Sequence, residues 1–341
     1  MAEITVIITT YNLQKYIDCC FRELFTQTFQ DFDILVVDDC SKDDTGEIVQ
    51  RWQDSYPERI KTLFLDHNLG LPALTRNVAL DSGLIDGNYI LFLDGDDSVE
   101  PDLLEKLYSA LTKSNAGVAI CAYDRVESNT GHVLCQEMRG FPEIVELPPS
   151  DDLLAFINTS PWNKLWRRDV FGDGRFPAFK VGEEVALLYT RYLKCERIAF
   201  VDEVLIHYRV HQSSVISNTP EEAIIQFAEE LKSCYQQLSG QYKDCMGLIA
   251  FLHIGISMAF RAADNPEINL KNHLRWTRQY LADDFSWFKG NSYLKLSSLM
   301  HHGIKGIILW ISLYAYKLNL FESIIFVYQF VSRKLHIDIK F

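Results

Sequence analysis

Positive charge is scarce in this sequence of 341 residues. Lysine and arginine number 33 against 46 aspartate and glutamate residues, which gives a formal net charge of −13 at pH 7. Proteins that bind nucleic acid through its phosphates need clustered basic side chains. The composition therefore excludes a general nucleic-acid-binding protein.

Cysteines at Cys-x-x-Cys spacing are also missing, and no leader segment is expected. The eight cysteines form no Cys-x-x-Cys pair, which indicates buried thiols in a reducing compartment rather than a disulfide framework. The first eight residues carry no basic segment, and their apolar run has the length of a strand. We therefore expect a cytoplasmic protein without a signal peptide.

Strands and helices alternate through the first part of the chain. Five short apolar runs are typical of buried parallel strands: residues 4–9, 33–37, 61–65, 89–93 and 116–123. Helical spacing follows each of the first four, which predicts an α/β fold with a mostly parallel sheet. Turn residues dominate from 127 to 161, and a largely helical part begins near 220. We place the domain boundary after residue 217, giving domains of 1–217 and 218–341.

Polar clusters follow three of the predicted strands. They are Thr9-Thr10-Tyr11-Asn12, Asp38-Asp39-Cys40-Ser41 and Asp94-Gly95-Asp96-Asp97. Ligands of open parallel sheets bind outside the carboxyl ends of the strands. Carboxylates gathered there repel one another unless a cation or hydrogen-bond donors compensate. Mg²⁺ or Mn²⁺ bridging a diphosphate would compensate, since both ions prefer oxygen ligands. One such cluster alone is often a helix cap, but three in order favour a binding site.

The ordered motifs resemble those of the family 2 glycosyltransferases of the GT-A fold, over about residues 4–215. Residues 7–12 resemble the family's opening strand and turn. Three further segments carry the resemblance: residues 36–45 (V-D-D-x-S-x-D-x-T), 68–77 (N-x-G…R-N) and 92–97 (F-L-D-x-D-D, with the D-x-D motif). The resemblance implies a Rossmann-like GT-A domain. It also implies inverting transfer of a hexose or N-acetylhexosamine from a UDP-sugar to a carbohydrate or lipid-linked acceptor in surface polysaccharide or glycoconjugate synthesis.

The resemblance also implies a set of donor-binding residues. Asp39 would accept a hydrogen bond from uracil N3–H, with a cap of the following helix as the alternative. Tyr11 would flank the base, and Thr9, in the opening strand, would also belong to the donor site. Arg76 would present its cation to the diphosphate, although a surface ion pair is the alternative. Asp94 would contact the ribose or a metal-bound water.

Metal ligands are expected in the Asp-rich loop and near the end of the matched region. Asp96 is the leading ligand for Mn²⁺ or Mg²⁺, and Asp97 would ligate or orient. Tyr208-Arg209-Val210-His211 resembles the family's Y-R-x-H segment. It implies that His211 contacts the metal or diphosphate and that Arg209 contacts the phosphates, with a structural role as the alternative for His211.

The general base is expected at Gly182-Glu183-Glu184, which resembles the family's G-E-D element. The family's last acid is the base, and here that position is Glu184 rather than aspartate, so either Glu184 or Glu183 serves. An acidic pair at a helix start is the structural alternative. Trp162, in a W-N-K-L stretch typical of the family, is either a stacking platform for the sugar or a core residue.

Two apolar stretches mark the C-terminal part, at 306–316 and 323–332. Each is shorter than the ~20 residues that span a bilayer, and basic residues border them. An interfacial helix pair at the inner face of the cell membrane, attracted to anionic lipid, fits this pattern. The alternative is that these helices pack on the catalytic domain or form a homo-oligomer. Residues 272–276 also match N-x-x-R-W, similar to a motif of processive synthases, which we interpret as coincidence.

Two other functions share some of these features. A nucleotidyltransferase has the same acidic sheet edge, but it needs a glycine-rich basic loop after the first strand, and residues 9–13 are no such loop. A non-catalytic carbohydrate-binding or assembly module is disfavoured by the intact Asp96, Arg76 and Glu184.

Overall fold

A computed structural model describes residues 2–148, 153–210, 219–236, 240–285, 291–300 and 303–335. The chain divides into two compact units. The first comprises Met1–Leu147 and Asn158–Ser213, and the second comprises Pro148–Ile157 and Ser214–Phe341. The segment 148–157, which lies in the turn-rich stretch of the sequence, thus joins the second unit.

The first unit is built on one ten-stranded sheet. Its strands are β1 (Ile4–Thr10), β2 (Phe32–Asp38), β3 (Ile60–Phe64), β4 (Tyr89–Asp94), β5 (Ser98–Val99), β6 (Val118–Glu127), β7 (Val133–Glu137), β8 (Ile144–Glu146), β9 (Lys164–Arg167) and β10 (Arg197–Val210). The order is β3-β2-β1-β4-β9-β6-β10-β5, with β7 on β6 and β8 on β10. The long pairings are parallel, and β9 runs antiparallel between β4 and β6. The predicted α/β class with a mostly parallel sheet is confirmed.

Helices cover the sheet of the first unit. They are α1 (Ile17–Phe25), α2 (Thr45–Ser55), α3 (Pro72–Asp81), α4 (Leu103–Ser114), α6 (Arg168–Phe171) and α7 (Glu183–Tyr192), with α5 (Leu153–Phe156) in the second unit. The central strands β1, β2 and β4 are apolar and almost wholly buried, as expected where both faces of a parallel sheet are covered.

A glycine sets the entry into β4. The amide of Gly87 donates to Thr5 Oγ1 at 3.0 Å, and a Cβ at this position would lie 2.5 Å from the Thr5 backbone nitrogen. Only glycine permits this approach. It brings β4 alongside β1 in the register that pairs Thr9 with Asp94.

The second unit is helical. It contains α8 (Glu221–Gln236), α9 (Gly240–Ala250), a π-helical stretch (Phe251–Ser257), α10 (Met258–Asp264), α11 (Leu270–Asp284), a 3₁₀ turn (Ser292–Leu294), α12 (Leu296–Leu299), α13 (Gly303–Lys317) and α14 (Phe321–Leu335). Within the described ranges, Tyr242–Asp264 is long and apolar enough to cross a membrane, but 72% of its apolar window is buried inside the protein. Such burial is typical of the core helix of a globular unit. The predicted helical C-terminal region is confirmed.

Candidate active site

Parallel register brings the three polar clusters to one edge of the sheet. Thr10, at the end of β1, lies opposite Asp38 at the end of β2. On the other side, Thr9 lies opposite Asp94 at the end of β4. The turns that leave these strands are therefore neighbours, and their acidic residues share one surface.

The turns after β1 and β2 lock together. The Asn12 amide donates to Ser41 Oγ at 2.9 Å, and the Lys42 amide donates to Asn12 Oδ1 at 2.8 Å. Asn12 and Cys40 have φ values of +54° and +60°, a left-handed conformation that residues other than glycine adopt rarely. These reciprocal bonds hold both turns in that conformation.

The two adjacent aspartates after β2 have different environments. The carboxylate of Asp38 accepts from Thr10 Oγ1 at 2.8 Å and from the Ser41 amide and hydroxyl at 2.9 and 2.6 Å. Asp38 therefore builds the turn. Asp39 is also buried and accepts from the Leu69 amide at 2.7 Å through Oδ1, which ties the Asn68-Leu69-Gly70 segment to it. Tyr11 is exposed beside this turn.

A buried guanidinium joins two of the predicted site acids. Arg76, on α3, is 3% exposed; it donates to Asp94 Oδ1 at 2.8 Å and to Glu184 Oε1 at 3.0 Å. Its carbon Cζ also lies 5.5 Å from the centre of the Phe176 ring. Burial acts to lower the pKa of Arg76, but the carboxylates of Asp94 and Glu184 raise it above its ordinary value, so the side chain stays charged. This buried double pair differs from the surface ion pair considered as the alternative.

Glu184 sits at the start of α7, next to the guanidinium. Gly182 precedes the helix with a φ of +78°, which suits glycine and turns the chain towards the site. Burial raises the pKa of Glu184 to about 7, with Arg76 opposing and the charges of Glu183 and Asp94 adding to the rise. A carboxyl group with this pKa exchanges protons readily near neutral pH.

The Asp-rich loop contains a buried carboxylate with one unpaired oxygen. Asp97 is 4% exposed, and its Oδ1 accepts from the Arg209 amide at 3.0 Å. Its Oδ2 has no hydrogen-bond partner within the described part of the chain. Burial and the charges of Asp96 and Asp94 raise the pKa of Asp97 well above its ordinary value. A buried, unpaired carboxylate is costly unless a proton or a cation neutralises it.

The donor atoms of the Asp-rich loop are suited to a hard divalent cation. Asp96 and Asp97 present carboxylate oxygens, the ligand type that Mg²⁺ and Mn²⁺ prefer, and Asp97 Oδ2 has no hydrogen-bond partner among the described residues. Among the residues that the structure describes, no three His, Cys, Asp or Glu side chains form a ready-made metal cage. A cation here would take other ligands from the substrate. The expected ligand His211 lies outside the described residues.

Comparison with known proteins identifies the family. The family model described as Glycosyl transferase family 2 matches residues 5–171. Glycosyltransferase GlyG of Streptococcus pneumoniae serotype 4 (strain ATCC BAA-334 / TIGR4) is 30% identical over 226 residues, which cover 62% of this chain and 72% of GlyG. The chain belongs to glycosyltransferase family 2.

Other similar proteins differ in how much of them is matched. Glycosyltransferase GlyA of the same organism is 31% identical over 223 residues, which cover 62% of this family 2 chain but 31% of GlyA. The crystal structure of S. aureus TarS 1–349 has a TM-score of 0.68 at 23% identity and covers 94% of this chain and 92% of that chain. This likeness confirms the predicted GT-A fold. TarS 1–349 has also been solved in complex with UDP and with UDP-GlcNAc.

Trp162 and Arg209, both predicted to bind the donor, contact aromatic rings of this family 2 chain. Trp162 is buried; its ring stacks on Tyr208 at 5.1 Å and meets Tyr123 edge-on at 4.6 Å. These contacts favour core packing over a platform for the sugar. The guanidinium of Arg209 lies 5.7 Å from the centre of the Tyr16 ring. Its backbone amide donates the hydrogen bond to Asp97 in the Asp-rich loop.

Sequence reasoning missed two residues that support the site. Asn77 donates to the Phe176 carbonyl at 2.7 Å and accepts from the Phe176 amide at 2.8 Å, which docks the Phe176 segment beside Arg76. Lys164 is fully buried, with Nζ within 2.7 Å of three neutral oxygens, and burial lowers its pKa to about 7. The R-N and W-N-K-L motifs contain both residues, but the motifs alone do not show the partners.

We expect Arg76→Met to lower the free energy of unfolding by about 3–5 kcal/mol, because it leaves two neighbouring carboxylates without their shared cation. Chemical denaturation measures this. Arg22→Met is the control; Arg22 pairs with Asp18 at the surface, so its loss leaves the midpoint near that of the wild type. Equal midpoints for Arg76→Met and wild type would show that the buried pair does not stabilise the fold.

Proposed function

We propose that this chain transfers a sugar from a UDP-sugar to a carbohydrate or lipid-linked acceptor, with Mn²⁺ or Mg²⁺ bound. One observation carries the proposal: the acidic residues that follow β2 and β4 lie at one sheet edge, where Asp94 pairs with the buried Arg76. Family membership supports the reaction class. The complex of TarS 1–349 with UDP-GlcNAc supports a UDP-sugar, with a hexose or N-acetylhexosamine as the group transferred.

In this proposal the turn after β2 recognises the base. Asp39 is held by the Leu69 amide, and its carboxylate accepts a hydrogen bond from uracil N3–H. The exposed ring of Tyr11 flanks the uracil. Thr9 and Asp94 follow along the same edge, towards the ribose.

The diphosphate lies over the Asp-rich loop. Asp96 and Asp97 would hold the cation, which would neutralise negative charge on the leaving diphosphate. The unpaired Asp97 Oδ2 supports this assignment, because a nearby positive charge removes the cost of burying it. Arg209 adds its guanidinium to the phosphates.

Glu184 acts as the general base. The acceptor hydroxyl attacks the anomeric carbon on the side opposite the diphosphate, and its proton passes to a Glu184 oxygen. The new bond joins the acceptor oxygen to the anomeric carbon, while the old bond to the diphosphate oxygen breaks and UDP leaves with the electron pair. This in-line path inverts the anomeric configuration. Arg76 positions the base by holding Glu184 Oε1 at 3.0 Å, which leaves the other oxygen for the proton.

The helical unit attaches the enzyme to the cytoplasmic face of the membrane in this proposal. Apolar side chains of α14 and of the turn before it are exposed: Leu318, Leu320, Phe326, Val327 and Phe330. Exposed apolar groups beside basic ones are typical of interfacial helices. A lipid-linked acceptor would be met at the same surface.

Asp96→Ala is expected to abolish the metal-dependent part of UDP binding while the melting temperature stays near that of the wild type. The side chain is partly exposed at the strand edge, so its loss removes a metal ligand and little packing. Calorimetry of UDP with and without Mn²⁺ measures the effect. Asp54→Ala, which removes an exposed carboxylate from α2, is the control. Unchanged UDP–Mn²⁺ affinity in Asp96→Ala would contradict the assignment.

Glu184→Gln should retain UDP binding but reduce turnover on acceptor by roughly 10²–10⁴-fold, the usual contribution of a general base. The wild-type rate should rise with pH and level off above about pH 7, because the pKa of Glu184 is about 7 and the base works in its ionised form. Initial rates from pH 5 to 9 measure both effects. Glu183→Gln is the matched control. A loss of turnover in Glu183→Gln with full activity in Glu184→Gln would move the base to the neighbouring residue.

A further inference from the structure

We infer that the second unit binds the phosphate of an anionic lipid headgroup in a basic pocket between α11 and the α13–α14 turn. The pocket has a volume of about 410 Å³, and Lys271, Arg275 and Arg278 line it. The inference deepens the membrane attachment proposed above and rests on it for the source of the phosphate. The sugar-transfer site plays no part in it.

The three basic residues lie on one face of α11. Their positions are i, i+4 and i+7, which places the side chains in one row along a helix. Like charges at such spacing destabilise a helix. Within the described ranges, none of the three forms an ion pair with a carboxylate, whereas the second unit's Lys232 pairs with Asp284 at 2.9 Å. Glu322 also lines the pocket, so three cations face one acid there. This excess of positive charge is suited to an anion with several oxygens.

The far wall of the pocket is held in shape by its own contacts. Asn319, in the turn after α13, has a φ of +58°, and its side chain accepts a hydrogen bond from Arg278. Tyr316 and Phe321, both buried, stack at 4.3 Å, and the Tyr316 hydroxyl donates to the Gly255 carbonyl. The turn is thereby tied to α11 and to the core helix, so the pocket exists before any ligand binds.

Exposed leucines adjoin the pocket. Leu318 and Leu320 flank Asn319 in the turn and are 64% and 51% exposed. A free phosphate ion or a soluble nucleotide would use the basic residues and leave these leucines in water. A lipid uses both, because its phosphate enters the pocket while its chains cover the apolar side chains. The adjacent charge and apolar surface therefore favour an anionic amphiphile in a bilayer.

The test is co-sedimentation of the full chain with vesicles of phosphatidylcholine, with and without phosphatidylglycerol. Wild type is expected to pellet with the anionic vesicles only. Each basic residue near an anionic surface raises the affinity for the anionic membrane about fivefold. Lys271→Gln/Arg275→Gln, which changes two exposed residues and leaves Arg278 on Asn319, should therefore weaken binding roughly 25-fold. Leu318→Ser/Leu320→Ser should weaken it as well.

Lys243→Gln/Lys295→Gln is the matched control, since it removes two exposed charges of the same unit away from the pocket. It should weaken binding far less than Lys271→Gln/Arg275→Gln. If both double variants lose vesicle binding equally, the binding depends only on the net charge of the protein. That result would overturn the proposed lipid site. Pelleting of the wild type with neutral vesicles to the same extent would also overturn it.

Two further outcomes would reassign the pocket. If inorganic phosphate raises the melting temperature of wild type but not of Lys271→Gln/Arg275→Gln, and vesicles bind neither, the ligand is a free phosphate. If vesicles bind neither form and the substitutions change the oligomeric state, the surface belongs to a second copy of the chain. Both results overturn the lipid inference. Affinity for UDP with Mn²⁺, measured on each variant, reports separately on the proposed transferase site.

Discussion

The site depends on one buried positive charge. The guanidinium of Arg76 lies almost fully out of water and is held by Asp94 at the end of β4 and by Glu184 at the start of α7. These partners come from parts of the chain far apart in sequence, so the charge fixes the relative position of strand and helix. It also allows two carboxylates that would otherwise repel each other to lie near a common point.

The negative charge of the Asp-rich loop is only partly compensated by neighbouring groups. The Arg209 amide donates a hydrogen bond to one oxygen of Asp97, and the guanidinium of Arg76 pairs with Asp94. The second oxygen of Asp97 is buried without a hydrogen-bond partner among the described residues. Its raised pKa expresses this cost. In our account the loop keeps this cost because binding a cation removes it. The free protein is less stable as a result, and its affinity for the cation is higher.

Much of the sheet was predictable, because β1, β2 and β4 are buried apolar runs whose pattern is local. The edge where the site lies follows from the polar residues after those strands. Other features carried no local signal. The residues of β7 are mostly exposed, so no alternation distinguished this strand from a loop. Asp38 and Asp39 are chemically identical neighbours, and only the fold shows that the first builds the turn.

The partners of single residues were the least predictable part of the site. Arg76 and Glu184 are 108 positions apart. The sequence around either residue does not indicate that the other is its partner. Trp162 has the character of a sugar platform, yet its contacts with Tyr208 and Tyr123 bury it. For Trp162 these contacts favour core packing, which the sequence alone did not distinguish from a sugar platform.

The central claim is that the acidic edge binds a UDP-sugar with a divalent cation and activates the sugar for transfer. Its most direct test is UDP release from a panel of UDP-sugars, measured with Mn²⁺, with Mg²⁺ and with EDTA. The account predicts release from at least one UDP-hexose or UDP-N-acetylhexosamine, lost in EDTA and restored by added metal. Release that is unaffected by EDTA, or no release and no binding with any UDP-sugar, would contradict it.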